Sequence, residues 1–195
     1  EIDPDLLQRA VDCVIERHEI FRTTFHDDGS GQQYQRVHPS APGVLQTQAL
    51  SDDADEAALQ ATIDAHVAYR FDLTRLPLVR LTLIRRGPAD YVLIHVEQHY
   101  VHDGWSANLF MREMLDAYAA YARGETPALP PVPAQYRDYA RWQRSEGAKA
   151  RYAKHLAFWT GTIGRQRQRV RHIGHLRGPE REMFRVARLR AFAAL

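Results

Sequence analysis

The chain has 195 residues, of which 45% are hydrophobic and 26% are charged, and its formal net charge is +2 at pH 7. This composition excludes a disordered or collagen-like chain and suits one domain, or one lobe of a larger protein. No apolar run approaches the roughly 18 residues of a membrane-spanning helix, and the acidic start of the chain is unlike a signal peptide. A single cysteine excludes an internal disulfide and a cysteine-based zinc site, so we expect a cytoplasmic protein without membrane contact. Because the chain lacks an initiating methionine, we also expect it to be part of a longer protein.

The first quarter of the chain is predicted to form one helix and three strands. The helix covers about residues 4–18, because Asp3 can cap it, Pro4 suits its first turn and apolar residues recur at helical spacing. Alternating residues then predict a strand that ends in the turn-forming stretch DDGSG, and two shorter strands follow it. These three strands are expected at residues 19–27, 32–39 and 44–50.

The middle of the chain combines helical and strand patterns. Helical spacing returns over residues 54–70. Two β-rich runs, 77–86 and 91–99, are joined by the tight turn GPAD, which predicts an antiparallel pair. Helical spacing resumes at 107–121, so the sequence predicts an α/β structure in which a sheet is backed by helices.

The last third is less regular. A proline-rich loop at 124–134 precedes a predicted helix that ends near Phe158, with Gly147 as a candidate break. Along that helix, Trp142 and two tyrosines recur at spacing three, so we expect them to pack in a core or against another lobe. Beyond Ile163 the pattern decays, and we expect at most a short strand at 182–186 and a terminal helix.

Residues 164–195 carry nine arginines and two glutamates, a balance of +7, which leaves −5 for the rest of the chain. An arginine-rich tail of this kind can contact nucleic acid or a membrane surface. Few aromatic residues lie between the arginines, so we favour a solvated face or a segment that packs against further sequence. We expect no nucleic-acid partner; such binding would weaken with salt and disappear when the tail is removed.

The stretch VEQHYVHDGWS, residues 96–106, concentrates the side chains that can carry chemistry. One interpretation is a metal site, because His95, Glu97 and His99 would lie on one face of a strand and His102 follows closely. The zinc-protease pattern, however, needs His-Glu-x-x-His on a helix, whereas this order is His-Val-Glu-Gln-His on a predicted strand. We therefore expect no bound metal.

A second interpretation is a catalytic triad of His99, Asp103 and Ser106. The chain contains no Gly-x-Ser-x-Gly elbow, and Ser106 suits a helix start, so this interpretation is not favoured. The third is acyl transfer without a protein nucleophile. A histidine at a strand end can take a proton from an incoming amine or alcohol, an aspartate four residues later can hold the loop, and Gly104 permits close approach or an unusual φ.

Several segments together resemble the condensation domains of non-ribosomal peptide synthetases, in the chloramphenicol-acetyltransferase-like superfamily. Those domains carry the motif His-His-x-x-x-Asp-Gly, commonly continued by Trp-Ser, and here it stands as QHYVHDGWS at 98–106. Four further segments resemble the family in the same order: RHEIFRTTF (17–25), FDLTRLPLVRLTLIR (71–85), LPPVPAQYRDYARWQR (129–144) and LAFW (156–159). The resemblance covers about residues 1–163, which we predict to be the N-terminal lobe, with 164–195 as a divergent tail that starts the region between lobes. It implies the fold of the chloramphenicol-acetyltransferase-like superfamily, an α/β two-layer sandwich with a mixed, largely antiparallel sheet backed by helices.

The resemblance implies a role for particular residues. The family's catalytic histidine corresponds to His99, and its structural aspartate corresponds to Asp103. The arginine that pairs with this aspartate matches Arg22, with Arg17 as the second choice, and Gly104 matches the glycine beside the substrate channel.

The neighbours of these residues are expected to support the site. Gln98 replaces the first histidine of the motif and should point away from His99 on an extended strand. Ser106 and Trp105 continue the motif. For Trp105 the residue type alone favours a packing role over a substrate platform.

The function implied is amide formation between two thioesters that are held on 4'-phosphopantetheine arms of a donor and an acceptor carrier domain. The enzyme itself would bind no cofactor. Because the family's site lies between two lobes, we expect these 195 residues to be inactive without the C-terminal lobe. Two alternatives remain open: a related acyltransferase to a hydroxyl acceptor, and a degenerate condensation-like module that only binds another protein.

Overall fold

A computed structural model describes residues 1–51, 54–166 and 182–190. The chain divides into two compact units, Glu1–Val132 with Arg181–Leu195, and Pro133–Glu180. Among the described residues, no helix is both long and apolar enough to cross a membrane. The elements of the first unit are α1 (Pro4–Arg17), a 3-10 helix (Glu19–Arg22), β1 (Thr23–Asp27), β2 (Gln33–Val37), β3 (Leu45–Ala49), α2 (Glu56–Val67), β4 (Val79–Arg85), β5 (Asp90–Gln98), α3 (Gly104–Ala122) and β6 (Glu182–Arg190). Those of the second unit are α4 (Tyr136–Gln143) and α5 (Glu146–Gln166).

Helix α1 forms as its sequence predicts. The Asp3 carboxylate accepts hydrogen bonds from the backbone N–H groups of Asp5 (2.9 Å) and Leu6 (3.2 Å), which caps the helix, and Pro4 occupies its first position. The buried residues recur at helical spacing: Leu7, Ala10, Val11, Val14 and Ile15. This apolar face packs into a core that α1 shares with α3 and one face of the sheet.

The strand predicted at 19–27 is correct only from Thr23 onward. Residues Glu19–Arg22 form a 3-10 helix, in which the Phe21 N–H donates to the His18 carbonyl at 3.2 Å. The Thr23 hydroxyl donates to the Glu19 carbonyl at 2.7 Å, and the Phe21 ring is buried against Phe110. Because these contacts favour a turn, they override the alternation that suggests a longer strand.

The larger sheet has the strand order β3-β4-β5-β6, and a separate hairpin pairs β1 with β2. The β3–β4 pair is parallel, whereas β4–β5 and β5–β6 are antiparallel. The antiparallel pair predicted around the GPAD turn is therefore confirmed, with His95 opposite Leu81 and Glu97 opposite Val79. The predicted α/β class, a mixed and largely antiparallel sheet backed by helices, is confirmed as well.

Strand β5 is buried on both faces. Its residues Tyr91 and Leu93 belong to the core that contains α1 and α3, whereas Val92, Ile94 and Val96 pack with residues of α2. Helices therefore cover the sheet on its two sides, which explains why β5 is a nearly continuous apolar run. The same alternation places His95 and Glu97 on the α3 side of the strand.

In the second unit the predicted helix divides two residues earlier than expected. The break lies at Arg144–Ser145, because the Ser145 hydroxyl accepts from the Ala148 N–H at 3.3 Å and so begins α5, which leaves Gly147 inside its first turn. Helix α5 also continues beyond Phe158. Its neighbour α4 carries the aromatic residues for which packing is expected, yet Tyr136, Tyr139 and Trp142 are 50%, 45% and 39% exposed, so a core position is wrong.

The arginine-rich tail contributes a strand. β6 includes the predicted residues 182–186 and extends to Arg190, so a helix does not begin directly after residue 186. Residues 191–195, the remainder of the predicted terminal helix, lie outside the described residues. The boundary between a lobe at 1–163 and a tail at 164–195 stays a prediction.

Candidate active site

The candidate residues lie where β5 gives way to α3. The last residue of β5, Gln98, donates its backbone N–H to the Leu78 carbonyl at 2.9 Å, and the Val101 N–H closes a turn on the Gln98 carbonyl at 3.0 Å. Helix α3 then begins at Gly104. We call residues 99–103 the motif loop, since they contain the centre of the sequence motif.

Asp103 ends the motif loop and caps α3. One of its carboxylate oxygens accepts from the backbone N–H groups of Trp105 (3.1 Å) and Ser106 (2.9 Å). The Ser106 hydroxyl donates to the same oxygen at 2.6 Å and accepts from the Asp103 N–H at 2.8 Å, which completes a capping box. The hydrogen bond from the Ser106 hydroxyl is the main cause that lowers the pKa of Asp103. Ser106 thus serves the helix start as expected, from the third helical position.

Replacing Asp103 with alanine is expected to reduce the free energy of unfolding by about 1 kcal/mol, because two backbone N–H groups lose their acceptor. Urea unfolding of the chain followed by circular dichroism measures the change. Asp116, an exposed residue of the same helix, provides the matched control, and Asp116→Ala should change the value by less than about 0.5 kcal/mol. Equal changes for the two variants would contradict the capping role.

His99 lies on the open surface of the motif loop, one residue beyond the end of β5. Its neighbour Tyr100 is 57% exposed and rests edge-on against Phe25, with ring centroids 5.3 Å apart. The next two residues, Val101 and His102, are buried. The loop thus presents the imidazole of His99 to solvent, whereas Val101 and His102 anchor the loop in the core.

Beneath the motif loop lies a buried polar cluster that the sequence did not reveal. One oxygen of Glu97 lies 3.2 Å from Nε2 of His95 and 3.2 Å from Nδ1 of His102, and all three side chains are almost inaccessible. The ring of His95 packs against Phe110 of α3, with centroids 5.0 Å apart. His102, rather than His99, therefore completes the face shared by His95 and Glu97, and no three residues in the described part of the chain form a candidate metal site.

The pKa of His102 is lowered, chiefly by burial, because desolvation disfavours the imidazolium. The carboxylate of Glu97 opposes this effect more than any other group does, while the nearby imidazoles of His95 and His99 add to the lowering. The centroid of the His102 ring lies 6.1 Å from that of His99, and the two rings are nearly perpendicular.

The ion pair expected between Arg22 and Asp103 is not formed among the described residues. The guanidinium of Arg22 donates to the carbonyls of His38 and Glu16, and its nearest carboxylate is that of Glu19 at 4.0 Å. The hydrogen bonds of the Asp103 carboxylate all serve the start of α3. The 3-10 helix places Arg22 beside the Glu16 carbonyl near the end of α1 and the His38 carbonyl just after β2, which explains the different partners.

The second-choice arginine, Arg17, belongs to another cluster. Its Nε donates to the buried carboxylate of Glu113 on α3 at 3.2 Å. The same oxygen lies 2.6 Å from Nε2 of His18. This arrangement connects the end of α1 to α3. Arg17 and His18, the first two residues of the RHE segment, therefore make a structural contact.

The remaining motif residues differ in exposure. Gln98 is buried, as its orientation away from the exposed His99 requires. Gly104 is exposed, its φ is not positive, and a Cβ added there would meet no atom within 4 Å, so the unusual backbone conformation is wrong and the open approach remains. Trp105 is 84% exposed, so the expected packing role is wrong within the described residues.

Comparison with known proteins identifies a family whose sequence model matches and a protein of similar sequence. The sequence model of the family described as Condensation domain matches residues 1–178. A linear gramicidin synthase of Brevibacillus parabrevis is 38% identical over 167 residues, which are 84% of this chain and 2% of that protein.

Two solved structures extend the comparison. SgcC5 of Streptomyces globisporus, in complex with (R)-(-)-1-(2-naphthyl)-1,2-ethanediol and sucrose, superposes with a TM-score of 0.71 at 29% identity and covers 89% of this chain. The X-domain from teicoplanin biosynthesis, in complex with OxyB, gives a TM-score of 0.68 at 31% identity and covers 83%. This chain spans only 39% and 35% of those two chains.

Proposed function

Since this chain belongs to the condensation-domain family of non-ribosomal peptide synthetases, we propose that it contributes one wall of a site where a carrier-bound amine attacks a carrier-bound thioester. The observation that supports this proposal best is the exposure of His99, on a loop whose neighbouring residues are fixed by the core. An imidazole in that position is free to contact a substrate that arrives from solvent.

In the proposed reaction the acceptor's α-amine attacks the thioester carbonyl of the donor. A tetrahedral oxyanion forms, and its collapse breaks the C–S bond, so that the donor's acyl group becomes an amide and the pantetheine sulfur leaves as a thiol. His99 accepts the proton that the amine loses, or donates a hydrogen bond to the charged intermediate, and either role contributes about 10²–10⁴-fold. A neutral amine is already a good nucleophile, so positioning of the two substrates supplies much of the remaining acceleration.

The other participants in this proposal follow from the same chemistry. Both substrates arrive on 4'-phosphopantetheine arms of partner carrier domains, and the enzyme needs no cofactor of its own for amide formation. Solved relatives are more than twice as long as this chain. We therefore propose that a second lobe supplies the opposite wall, and that the 195 residues alone yield no amide product.

Two observations on relatives support alternative functions. The SgcC5 structure contains a diol, and an alcohol acceptor could use the same histidine, with an ester as the product. The X-domain of teicoplanin biosynthesis is found in complex with OxyB, which favours a module that binds another protein. Amide formation remains the preferred proposal, because the condensation-domain model matches most of the chain and the gramicidin synthase segment is more similar in sequence than either solved relative.

The test compares acceptors in a complete condensation domain that contains these residues. A donor carrier loaded with an aminoacyl thioester is mixed with acceptor carriers that bear either an α-amino acid or the matching α-hydroxy acid. Mass spectrometry of the acceptor carrier is expected to show the amide product and no ester above the level of the donor-free control. Ester as the main product would support the hydroxyl-acceptor alternative, and the absence of both products would support the binding module.

A further inference from the structure

A buried contact joins His102, near the end of the motif loop, to Glu97, the residue before the last one of β5. These two residues flank the loop segment that carries His99, since Glu97 lies next to the end of β5 and His102 lies next to the cap of α3. Nδ1 of His102 is 3.2 Å from the carboxylate of Glu97, and the two side chains are 1% and 2% exposed. The position of the exposed imidazole therefore depends on a contact that is itself buried.

Burial of this contact costs free energy, and protonation of His102 would add a charge to the same buried place. The carboxylate lies close to His95 and His102, but off the axis of a hydrogen bond, and neither ring nitrogen of His102 has another hydrogen-bond partner among the described residues. Polar groups buried in this way disfavour any added charge that lacks a well-oriented partner. Lowering the pH should therefore destabilise this contact before it destabilises the apolar core.

The sign of the effect follows from the groups that face His102. Those on β5 are Glu97 and His95, those on the loop are His99 and Asp103, and α3 contributes the uncharged ring of Phe110 behind His95. Burial dominates and lowers the pKa of His102 below its ordinary 6.5. A conformation in which His102 reaches water binds a proton more readily, so the closed loop is fully favoured above pH 6.5 and is progressively lost as the pH falls toward the lowered pKa.

We propose that Glu97 and His102 are positioning residues for His99: their buried contact holds the motif loop in place, and protonation of His102 releases it. The relevance to catalysis rests on the proposed function, in which His99 faces the substrates. The release itself is a property of the fold and needs no substrate. In the working protein it would reduce the fraction of molecules that present His99 correctly in mildly acidic solution.

Amide hydrogen exchange of the full 195-residue chain tests this proposal. The Val101 N–H reports on the loop, because its hydrogen bond to the Gln98 carbonyl closes the turn. After correction for intrinsic exchange rates, we expect its protection to fall about fivefold between pH 7.5 and pH 5.5, within the limit of tenfold per pH unit for one proton. In His102→Gln, which keeps an N–H donor but cannot be protonated, the protection should change by less than about twofold.

Two further variants separate the loop from the rest of the molecule. His66 is the matched control, because its pKa is also lowered by burial and it lies on α2, so His66→Gln should leave the fall at Val101 as in the parent chain. Glu97→Gln removes the charge that favours protonated His102 in the closed loop, which lowers the pKa of His102 there still further, so the fall at Val101 should become larger. A fall that persists in His102→Gln, or that disappears in His66→Gln, would overturn the proposal.

If His102→Gln does not fold, an NMR titration of the histidine rings in the parent chain decides the matter. A His102 pKa below 6.5 is required, and a value at or above 6.5 would overturn the proposal. Neither measurement uses carriers or thioesters. Failure of the amide-forming assay with a normal exchange result would therefore count against the proposed function alone.

Discussion

Truncation of Phe110 to alanine is expected to lower the free energy of unfolding by about 3–5 kcal/mol. The ring is 1% exposed and belongs to the core that α1 and α3 share with one face of the sheet. It contacts Phe21 edge-on at a centroid distance of 5.1 Å and His95 at 5.0 Å. Its removal would leave a cavity beside the buried polar cluster, and the surrounding helices and strands can close such a cavity only in part.

Urea unfolding, followed by circular dichroism, measures this loss. Leu115 on the same helix is 43% exposed, and Leu115→Ala provides a matched truncation that should stay within about 0.5 kcal/mol of the parent chain. The gain in helix propensity from alanine is less than about 0.7 kcal/mol for either residue, so the difference between the variants reports mainly the effect of burial. Similar unfolding free energies for the two variants would show that α3 does not pack on the sheet through Phe110.

The elements with strong local signals could be predicted from the sequence. Helix α1 has an aspartate cap, a proline at its start and a regular apolar face, and the β4–β5 pair has a tight turn between two β-rich runs. The 3-10 helix at Glu19–Arg22 could not be predicted, because it depends on the Thr23 hydroxyl and on the burial of Phe21 against a residue about ninety positions away. The break before α5 lies two residues before the predicted Gly147. The Ser145 hydroxyl caps the helix, and the first turn of the helix tolerates the glycine.

The site was predictable in part. The resemblance identified the motif loop, and alternation along the strand correctly separated Gln98 from His99. The cluster of Glu97 with His95 and His102 could not be predicted from alternation along the strand, which puts His99 on the face of His95 and Glu97. The chain instead turns immediately after β5, so that His102 contacts Glu97 on that face and His99 does not. Residue type also misled in one case, since a tryptophan usually packs, whereas Trp105 is exposed here.

The partner of Arg22 illustrates a further limit. A family resemblance places an arginine and an aspartate in the same site, but hydrogen bonds depend on the local backbone. Here one oxygen of the Asp103 carboxylate serves the capping box at the start of α3, whereas Arg22 donates to the carbonyls of Glu16 and His38. The roles of Asp103, Arg22 and Gly104 in catalysis stay predictions.

Substitution of His99 by alanine is expected to reduce the rate of amide formation by about 10²–10⁴-fold in a complete condensation domain that contains these residues. The imidazole is on the surface, so its removal leaves no cavity in the core and should not lower the unfolding free energy by more than about 0.5 kcal/mol. The loss would therefore arise from proton transfer or from oxyanion stabilisation. Its matched control is His66→Ala, a half-buried histidine on α2 that has no proposed role in the reaction.

The most direct test of His99 as the reacting side chain is a single-turnover experiment, in which the domain is in excess over the loaded donor carrier and the loaded acceptor carrier is saturating. Rapid quenching and mass spectrometry of the acceptor carrier give the rate constant for amide formation itself. We predict that His99→Ala lowers this rate constant about 10²–10⁴-fold while His66→Ala leaves it unchanged. A His99→Ala domain that forms the amide at the parent rate would contradict the account.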